Sequence, residues 1–241
     1  MSNITLSISD VTSKAWELAK KHGLILAVVI FAVGAITQSI GLIGFPWGAY
    51  LGAIAESDAD ALLAMADSMG AMSALSIVGG LLSIVATAGI INIVLKLTKG
   101  TMKSFDLGGF NMPFKTYANF VGATIITTII ICIGTILCII PGIFLAARLS
   151  LVPAYLIDHP DAGVGEAFNH SWEHTKGNFW NLFGLGLVYV LFCIVGLLCC
   201  CVGVYFAQAI GYFMITVTYF TLCGEEETPE CAVVEAEEVN L

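Results

Sequence analysis

The stretch WNLFGLGLVYVLFCIVGLLCCCVGVYFAQAIGYFMITVTYFTLC, residues 180–223, decides the fold class because it is long, apolar and uncharged. A helix needs about 20 apolar residues to cross about 30 Å of hydrocarbon, so this stretch is long enough for two crossings. Backbone groups in lipid must be hydrogen-bonded within the segment, which makes such runs helical. The stretch predicts transmembrane helices at about 180–200 and 204–223.

Four further apolar runs precede this pair, at about 24–45, 73–95, 120–140 and 142–157. Pro141-Gly142 is a turn signal and predicts a tight helical hairpin between the third and fourth runs. The fold prediction is all-α: a polytopic membrane bundle of about six helices in one domain, 1–224. An acidic tail, 225–241, is expected to be disordered and cytoplasmic. In the alternative five-span arrangement, 142–157 is re-entrant.

The composition excludes a soluble globular domain and a nucleic-acid-binding surface. Hydrophobic residues make up 58% of the chain and charged residues 11%, against about 25% charged in soluble domains. Nine Lys and Arg in total are too few for a basic patch. Most of the eight cysteines lie in apolar runs, where cysteine acts as a small buried hydrophobe. No cofactor is expected.

The lysines predict the orientation of the bundle. Lys14, Lys20 and Lys21 precede the first run and Lys176 precedes the fifth, and the predicted outer loop 46–72 has no Lys or Arg. With six spans, all eight lysines fall on one face, and the positive-inside rule places both termini in the cytoplasm. Within the outer loop, alanine-rich 53–69 predicts a short amphipathic helix.

A five-residue pattern, Trp-Glu-x-x-Lys, occurs at 16–20 and again at 172–176, each time shortly before an apolar run. Both copies lie on amphipathic patterns and predict interfacial helices near 10–22 and 163–176. Trp16, Trp172, Lys176 and Trp180 are the expected anchors at the headgroup level. Two origins stay open: a parallel internal repeat or chance.

Polar residues inside the apolar runs are the candidate contacts for a lipid or ligand. Arg148 is a functional-site hypothesis because charge in a span is costly; it either snorkels to the interface or binds an anionic lipid phosphate. A polar stripe on the sixth span either packs helices together or lines a cavity. Its members are Tyr205, Gln208, Tyr212, Thr216 and Tyr219.

The segment His170-Ser171-Trp172-Glu173-His174 spells H-x-x-E-H, a zinc-enzyme pattern. On a helix the two histidines share a face, as two zinc ligands would. The segment belongs, however, to a predicted interfacial helix, and the next acids downstream lie in the tail beyond two spans. We therefore predict neither a metal site nor a catalytic residue.

The region from Ile140 to Leu185 resembles the membrane domain of glycerophosphoryl diester phosphodiesterase and related multi-pass bacterial membrane proteins. The resemblance rests on Pro141-Gly142, on Arg148 with Pro153, on Ser171-Trp172-Glu173, and on the run from Thr175 to Trp180. It implies a bacterial plasma-membrane protein whose membrane domain is non-catalytic. The soluble phosphodiesterase domain that accompanies it in that family does not occur in this sequence.

The expected function is that of a non-enzymatic membrane scaffold that engages the bilayer, anionic lipid or a membrane partner protein. The alternative is a small transporter or channel, although the spans lack paired carboxylates. A membrane enzyme is disfavoured because the sequence shows no carboxylate pair, nucleophile elbow or metal set.

Overall fold

The computed structural model describes residues 6–43, 59–101, 107–198 and 202–223, which are helical throughout apart from short connections. Six helical segments among them are long and apolar enough to cross a membrane, which confirms the predicted all-α membrane bundle. The acidic tail and the cysteines at 199–201 lie outside the described residues. The α-helices are α1 Ile8–Ile43, α2 Ala59–Thr98, α3 Phe114–Leu137, α4 Ile139–Arg148, α5 Val152–Asp158, α6 Val164–His174, α7 Phe179–Leu198 and α8 Val202–Cys223; a 3-10 helix spans Leu107–Phe110.

The first two helices are longer than predicted. α1 runs unbroken through the predicted interfacial helix 10–22 and the span that follows it, so a separate first interfacial helix is wrong. Gly23 lies within this helix and packs against Phe206, where an added Cβ would lie 2.9 Å from a ring carbon. α2 likewise joins residues 59–69 to the second span; the rest of the predicted 53–69 helix lies outside the described residues.

The hairpin between the third and fourth spans turns at Cys138, three residues before the predicted Pro141-Gly142 turn. Cys138 has extended backbone (φ −170°, ψ 147°) between α3 and α4. Pro141 is the third residue of α4, in the first turn, where a missing N–H breaks no helical hydrogen bond. A Cβ on Gly142 would lie 2.9 Å from the Cα of Thr135, so this glycine permits the close approach of α3 and α4.

The fourth span consists of two short helices, α4 and α5, with a break at 149–151. Together they give a candidate span, Ile140–Asp158, of 19 residues, in agreement with six spans rather than five. The break is buried: Leu149, Leu151 and Val152 are at most 5% exposed. α5 therefore lies inside the molecule.

The second predicted interfacial helix is present as α6. Glu166 accepts a hydrogen bond from the backbone N–H of Gly163 at its start. Gly177, with φ +83°, ends the connection that follows, as the sequence Gly177-Asn178 predicts. Ala167 and Ser171 form the buried face of α6, and Thr175, directly after the helix, is buried as well.

α8 is the central helix and α3 and α7 are peripheral. In the best apolar windows, 61% of the residues of α8 are buried but only 17% of those of α3 and α7. Large apolar side chains on the outer faces are strongly exposed, among them Ile136, Leu137 and Leu198. Contact with a lipid bilayer accounts for this exposure.

Lysines lie near both ends of α8. The Nζ of Lys20 lies 5.7 Å over the ring of Trp16, which packs on Phe206 near the start of α8. The Nζ of Lys99 lies 5.4 Å over the ring of Phe220, near its end. Phe206 and Phe220 are about 21 Å apart along the helix axis. Lys20 and Lys99 therefore lie toward opposite ends of α8, and the grouping of all lysines at one membrane face stays a prediction.

Candidate functional site

Arg148 joins the end of α4 to α6. Its Nη1 donates to the carbonyl of Trp172 at 3.2 Å and to the Oγ1 of Thr175 at 3.4 Å. In return, the hydroxyl of Ser171 donates to the carbonyl of Arg148 at 2.7 Å. A cation at the C-terminus of a helix also interacts favourably with the helix dipole. The Arg148 side chain thus reaches α6, and the choice between snorkelling and lipid binding stays open.

Two aromatic rings enclose the Arg148 guanidinium and lead from it into the bundle. Its Cζ is 5.0 Å from the ring centroid of Trp172 and 5.2 Å from that of Phe144. Phe144 packs on Phe179 at 5.1 Å, and Phe179 stacks on Phe183 at 6.2 Å. An aromatic chain therefore connects the Arg148 site with the membrane-spanning part of α7.

The four predicted anchors occupy two different environments. Trp172 is 39% exposed and Trp180 76% exposed, and both lie with exposed Lys176 around the start of α7. Trp16 instead stacks on Phe192, at 5.9 Å, in the second half of α7. The two Trp-Glu-x-x-Lys copies are therefore not structurally equivalent, since one lies within a long helix and the other forms a short one.

A cavity of about 570 Å³ lies between α4, α7 and α8. Gln208 and Tyr212 line it, as the cavity alternative predicts, whereas Arg148 and Tyr205 do not. Its remaining lining is largely apolar, and Leu187 and Val190 at its rim are half exposed. The cavity therefore borders the surface that faces lipid.

The rest of the predicted span-six stripe has other partners. Tyr205 packs edge-on against Phe31 of α1, at 5.0 Å. The hydroxyl of Thr216 is 3.2 Å from that of Thr98 on α2. Tyr219 donates to the Oδ2 of Asp158 at 3.0 Å. The stripe is thus partly helix-packing contact and partly cavity lining.

An ion pair ties α2, α5 and α8 together at the end of the bundle that holds α6. Lys99 Nζ lies 2.5 Å from Asp158 Oδ1, with the Asp158 side chain 14% exposed and the Lys99 side chain 33% exposed. The predicted fourth span, 142–157, ends one residue before Asp158, so this pair was not predicted from the sequence. Asp158 is the last residue of that span in the structure.

A stack of rings lies beside this ion pair. Tyr155 stacks on His159 at 4.5 Å and on His170 at 4.1 Å, and His170 stacks on His174 at 3.9 Å. The Tyr155 hydroxyl donates to Glu166 at 3.0 Å. Burial, and then the neighbouring His174 and His159, lower the pKa of His170 to about 4, so this imidazole is neutral at physiological pH.

The structure brings a third metal-ligating side chain to the two histidines of the H-x-x-E-H segment. One ligand atom each of His170, His174 and Cys223 lies within 4.8 Å of the others. The sequence argument against a metal considered only acids downstream and overlooked Cys223. The even number of predicted spans could have pointed to Cys223, because six spans put the end of the sixth span at the same membrane face as α6.

Comparisons of the chain with protein-family models, with curated proteins and with solved structures gave no match. The resemblance to the phosphodiesterase membrane domain therefore stays a prediction.

Proposed function

We propose that the protein is a non-enzymatic membrane protein that holds one anionic lipid, with an acyl chain in the cavity and the phosphate at Arg148 and Lys176. The observation that carries this proposal is the largely apolar cavity at the lipid-facing surface between α4, α7 and α8. Its volume falls in the range of roughly 300–1,000 Å³ that is typical of ligand pockets.

The surroundings of the cavity favour an acyl chain as its occupant. All its lining residues belong to three candidate spans, Ile140–Asp158, Phe179–Leu198 and Gly203–Cys223. An apolar crevice within a bilayer is surrounded by lipid chains. Because those chains are as apolar as the crevice itself, the chain contact gives little driving force, and selectivity has to come from the headgroup.

Arg148 and Lys176 supply a cationic site for the headgroup. Nη1 of Arg148 donates to Trp172 and Thr175. The guanidinium has five N–H donors in total, so other donors remain for a phosphate. Lys176 is exposed and directly follows Thr175, to which Arg148 donates. Arg and Lys are the side chains that bind phosphate. The aromatic chain from Phe144 to Phe183 joins this site to the cavity, which Phe183 lines.

A glycine in the cavity wall allows the proposal to be tested without strain. A Cβ at Gly186 meets nothing within 4 Å, so Gly186→Leu is expected to fill the cavity and leave the helices in place. Native mass spectrometry of the gently extracted protein should show a bound anionic lipid that Gly186→Leu loses. Gly80→Leu, at an equally open glycine on α2, is the matched control and should keep it.

A second variant tests the headgroup contact. Lys176→Gln is expected to reduce the preference for phosphatidylglycerol over phosphatidylcholine in nanodiscs of mixed composition, because it removes one exposed cation. Retention of the lipid in Gly186→Leu would contradict the cavity assignment, and an unchanged preference in Lys176→Gln would contradict the headgroup assignment.

The transporter alternative has one observation in its favour, the presence of Gln208 and Tyr212 on the cavity wall. A transport path is hydrated, whereas an acyl-chain site is dry. Gln208→Cys in a background without other cysteines distinguishes them. Rapid labelling by a membrane-impermeant maleimide would favour transport, and protection from the reagent would favour the lipid site.

Location and orientation are part of the same proposal. A bacterial plasma membrane is what the family resemblance supports, and an even number of spans supports termini on one side. The lysines near both ends of α8 weaken the charge argument that this side is the cytoplasm. Alkaline phosphatase and green fluorescent protein fused in turn to the C-terminus test it, because only the first is active outside and only the second fluoresces inside.

A further inference from the structure

We propose that His170, His174 and Cys223 form a zinc site that links α6 to the end of α8. The site is separate from the lipid cavity and does not depend on it. Two of the ligands are one helical turn apart on α6, and the third comes from the last residue of α8. Two imidazole nitrogens and one thiolate are ligands that Zn²⁺ commonly takes in proteins.

The distances between the ligand atoms are close to those of a loaded site. Zn–N bonds of about 2.0–2.1 Å and Zn–S bonds of about 2.3 Å at tetrahedral angles put ligand atoms about 3.3–3.6 Å apart. The ligand atoms of His170, His174 and Cys223 all lie within 4.8 Å of one another. Rotation about side-chain bonds can bring atoms within this limit to coordinating distance.

The hydrogen bonding of His174 prepares it for a metal. Its Nδ1 is 2.9 Å from the carbonyl oxygen of His170. A carbonyl oxygen can only accept, so Nδ1 carries the proton and Nε2 carries the lone pair. Metal-ligating histidines characteristically donate their other ring N–H to a carbonyl or carboxylate in this way.

His170 provides a second, independent observation. Its Nδ1 is buried and has no hydrogen-bond partner among the described residues. Buried polar atoms in proteins are almost always bonded, so each exception requires an explanation. Coordination of a metal ion by this nitrogen satisfies it, and the stacking of His170 on His174 keeps the two imidazoles next to each other.

Metal binding to the full-length protein in detergent tests the proposal directly. After exchange into metal-free buffer, Zn²⁺ titration with elemental analysis is expected to give one tightly bound equivalent. Co²⁺, used as the spectroscopic substitute, is expected to show tetrahedral d–d bands and a thiolate-to-cobalt charge-transfer band. Cys223→Ser should abolish that band, and His174→Ala should weaken binding by more than about 100-fold, since even outer-shell losses cost 10–100-fold.

Control variants show whether the metal signals come from Cys223 or from another cysteine, and whether a lost signal results from unfolding. Two variants serve as controls: Cys193→Ser, at another half-buried cysteine, and the triple serine variant of Cys199, Cys200 and Cys201. Both should still bind one equivalent of Zn²⁺ and show the thiolate-to-cobalt band. Thermal unfolding in metal-free buffer checks that Cys223→Ser is folded. The proposal is overturned if the unaltered protein binds no Zn²⁺, if Cys223→Ser keeps the charge-transfer band, or if the triple variant loses it.

Discussion

At the residue scale, single polar side chains hold short segments against the bundle. Arg148 joins α4 to α6 through its side chain and its carbonyl, and Asp158 joins α5 to α2 and α8. Charged groups in or near a membrane are retained where they have such partners. Each of these two residues therefore connects several helices.

Removal of the Arg148 side chain should loosen α6. We expect Arg148→Ala to lower the free energy of unfolding by about 2–4 kcal/mol, from lost charge-assisted hydrogen bonds and cation–π contacts. Arg148→Lys should lose less, because lysine keeps the charge but not the planar donors. Tryptophan fluorescence during unfolding by dodecyl sulfate measures both. Lys176→Gln is the exposed control; an equal loss there would refute the role of Arg148.

Neutralisation of Asp158 should also destabilise the fold. Asp158→Asn leaves Lys99 without its charge partner, and we expect a loss of about 1–3 kcal/mol, below the full value for a buried pair because Lys99 is 33% exposed. Asp161→Asn is the matched control, since its pair with Lys115 is exposed at 3.6 Å and should have no measurable effect. Equal unfolding curves for the two variants would contradict this prediction.

At the element scale, breaks in the helices decide where the chain changes direction. Cys138 separates α3 from α4, residues 149–151 separate α4 from α5, and Gly177 precedes α7. Each break is short, and the first two lie between apolar helices, whereas Gly177 separates the amphipathic α6 from the apolar α7. α6 can therefore lie across the end of the bundle, where it meets α4, α5 and α8.

Two glycines in and after α6 should respond oppositely to alanine. Gly177 has φ +83°, so Gly177→Ala is expected to cost about 1–2 kcal/mol of backbone strain. Gly165 lies within the helix with open space around it, so Gly165→Ala should stabilise by about 0.5–1 kcal/mol. Midpoints of thermal unfolding in detergent give the comparison. Shifts in the same direction would show that the turn at Gly177 does not need glycine.

At the scale of the whole molecule, α1 starts beside the start of α7, where the N–H of Leu6 donates to Asn178 Oδ1 at 3.0 Å, and it then runs along α7. Lys20 lies near Trp16 and the second half of α7, whereas Lys176 precedes α7. Because α7 is a candidate span, we expect these two lysines to lie near opposite membrane faces.

Labelling from one side of sealed vesicles tests this arrangement. In a background without other cysteines, Lys20→Cys and Lys176→Cys should react with an impermeant maleimide from opposite sides. Permeabilised vesicles, in which both should react, are the control. Reaction of both cysteines from the same side would contradict this arrangement and support the predicted grouping of lysines at one membrane face.

The helical class, the six spans and the separate helix α6 were all predictable from sequence. Local composition determines them, because about 20 apolar residues in lipid must form a helix and Gly177-Asn178 ends one. The boundaries of α1 and α2 were less predictable. A charged segment such as 14–22 is compatible with either a separate helix or a continuous one. In the structure it belongs to one continuous helix that packs on α7 and α8 through Trp16.

The sequence by itself therefore determined what kind of solvent surrounds the chain and which segments are helices, since both depend on neighbours along the chain. Only the tertiary structure decided which side chains meet. Lys99 with Asp158 and His170 with Cys223 are 59 and 53 residues apart in sequence. Such pairs depend on how the helices are arranged side by side, and no local pattern of residues records that arrangement.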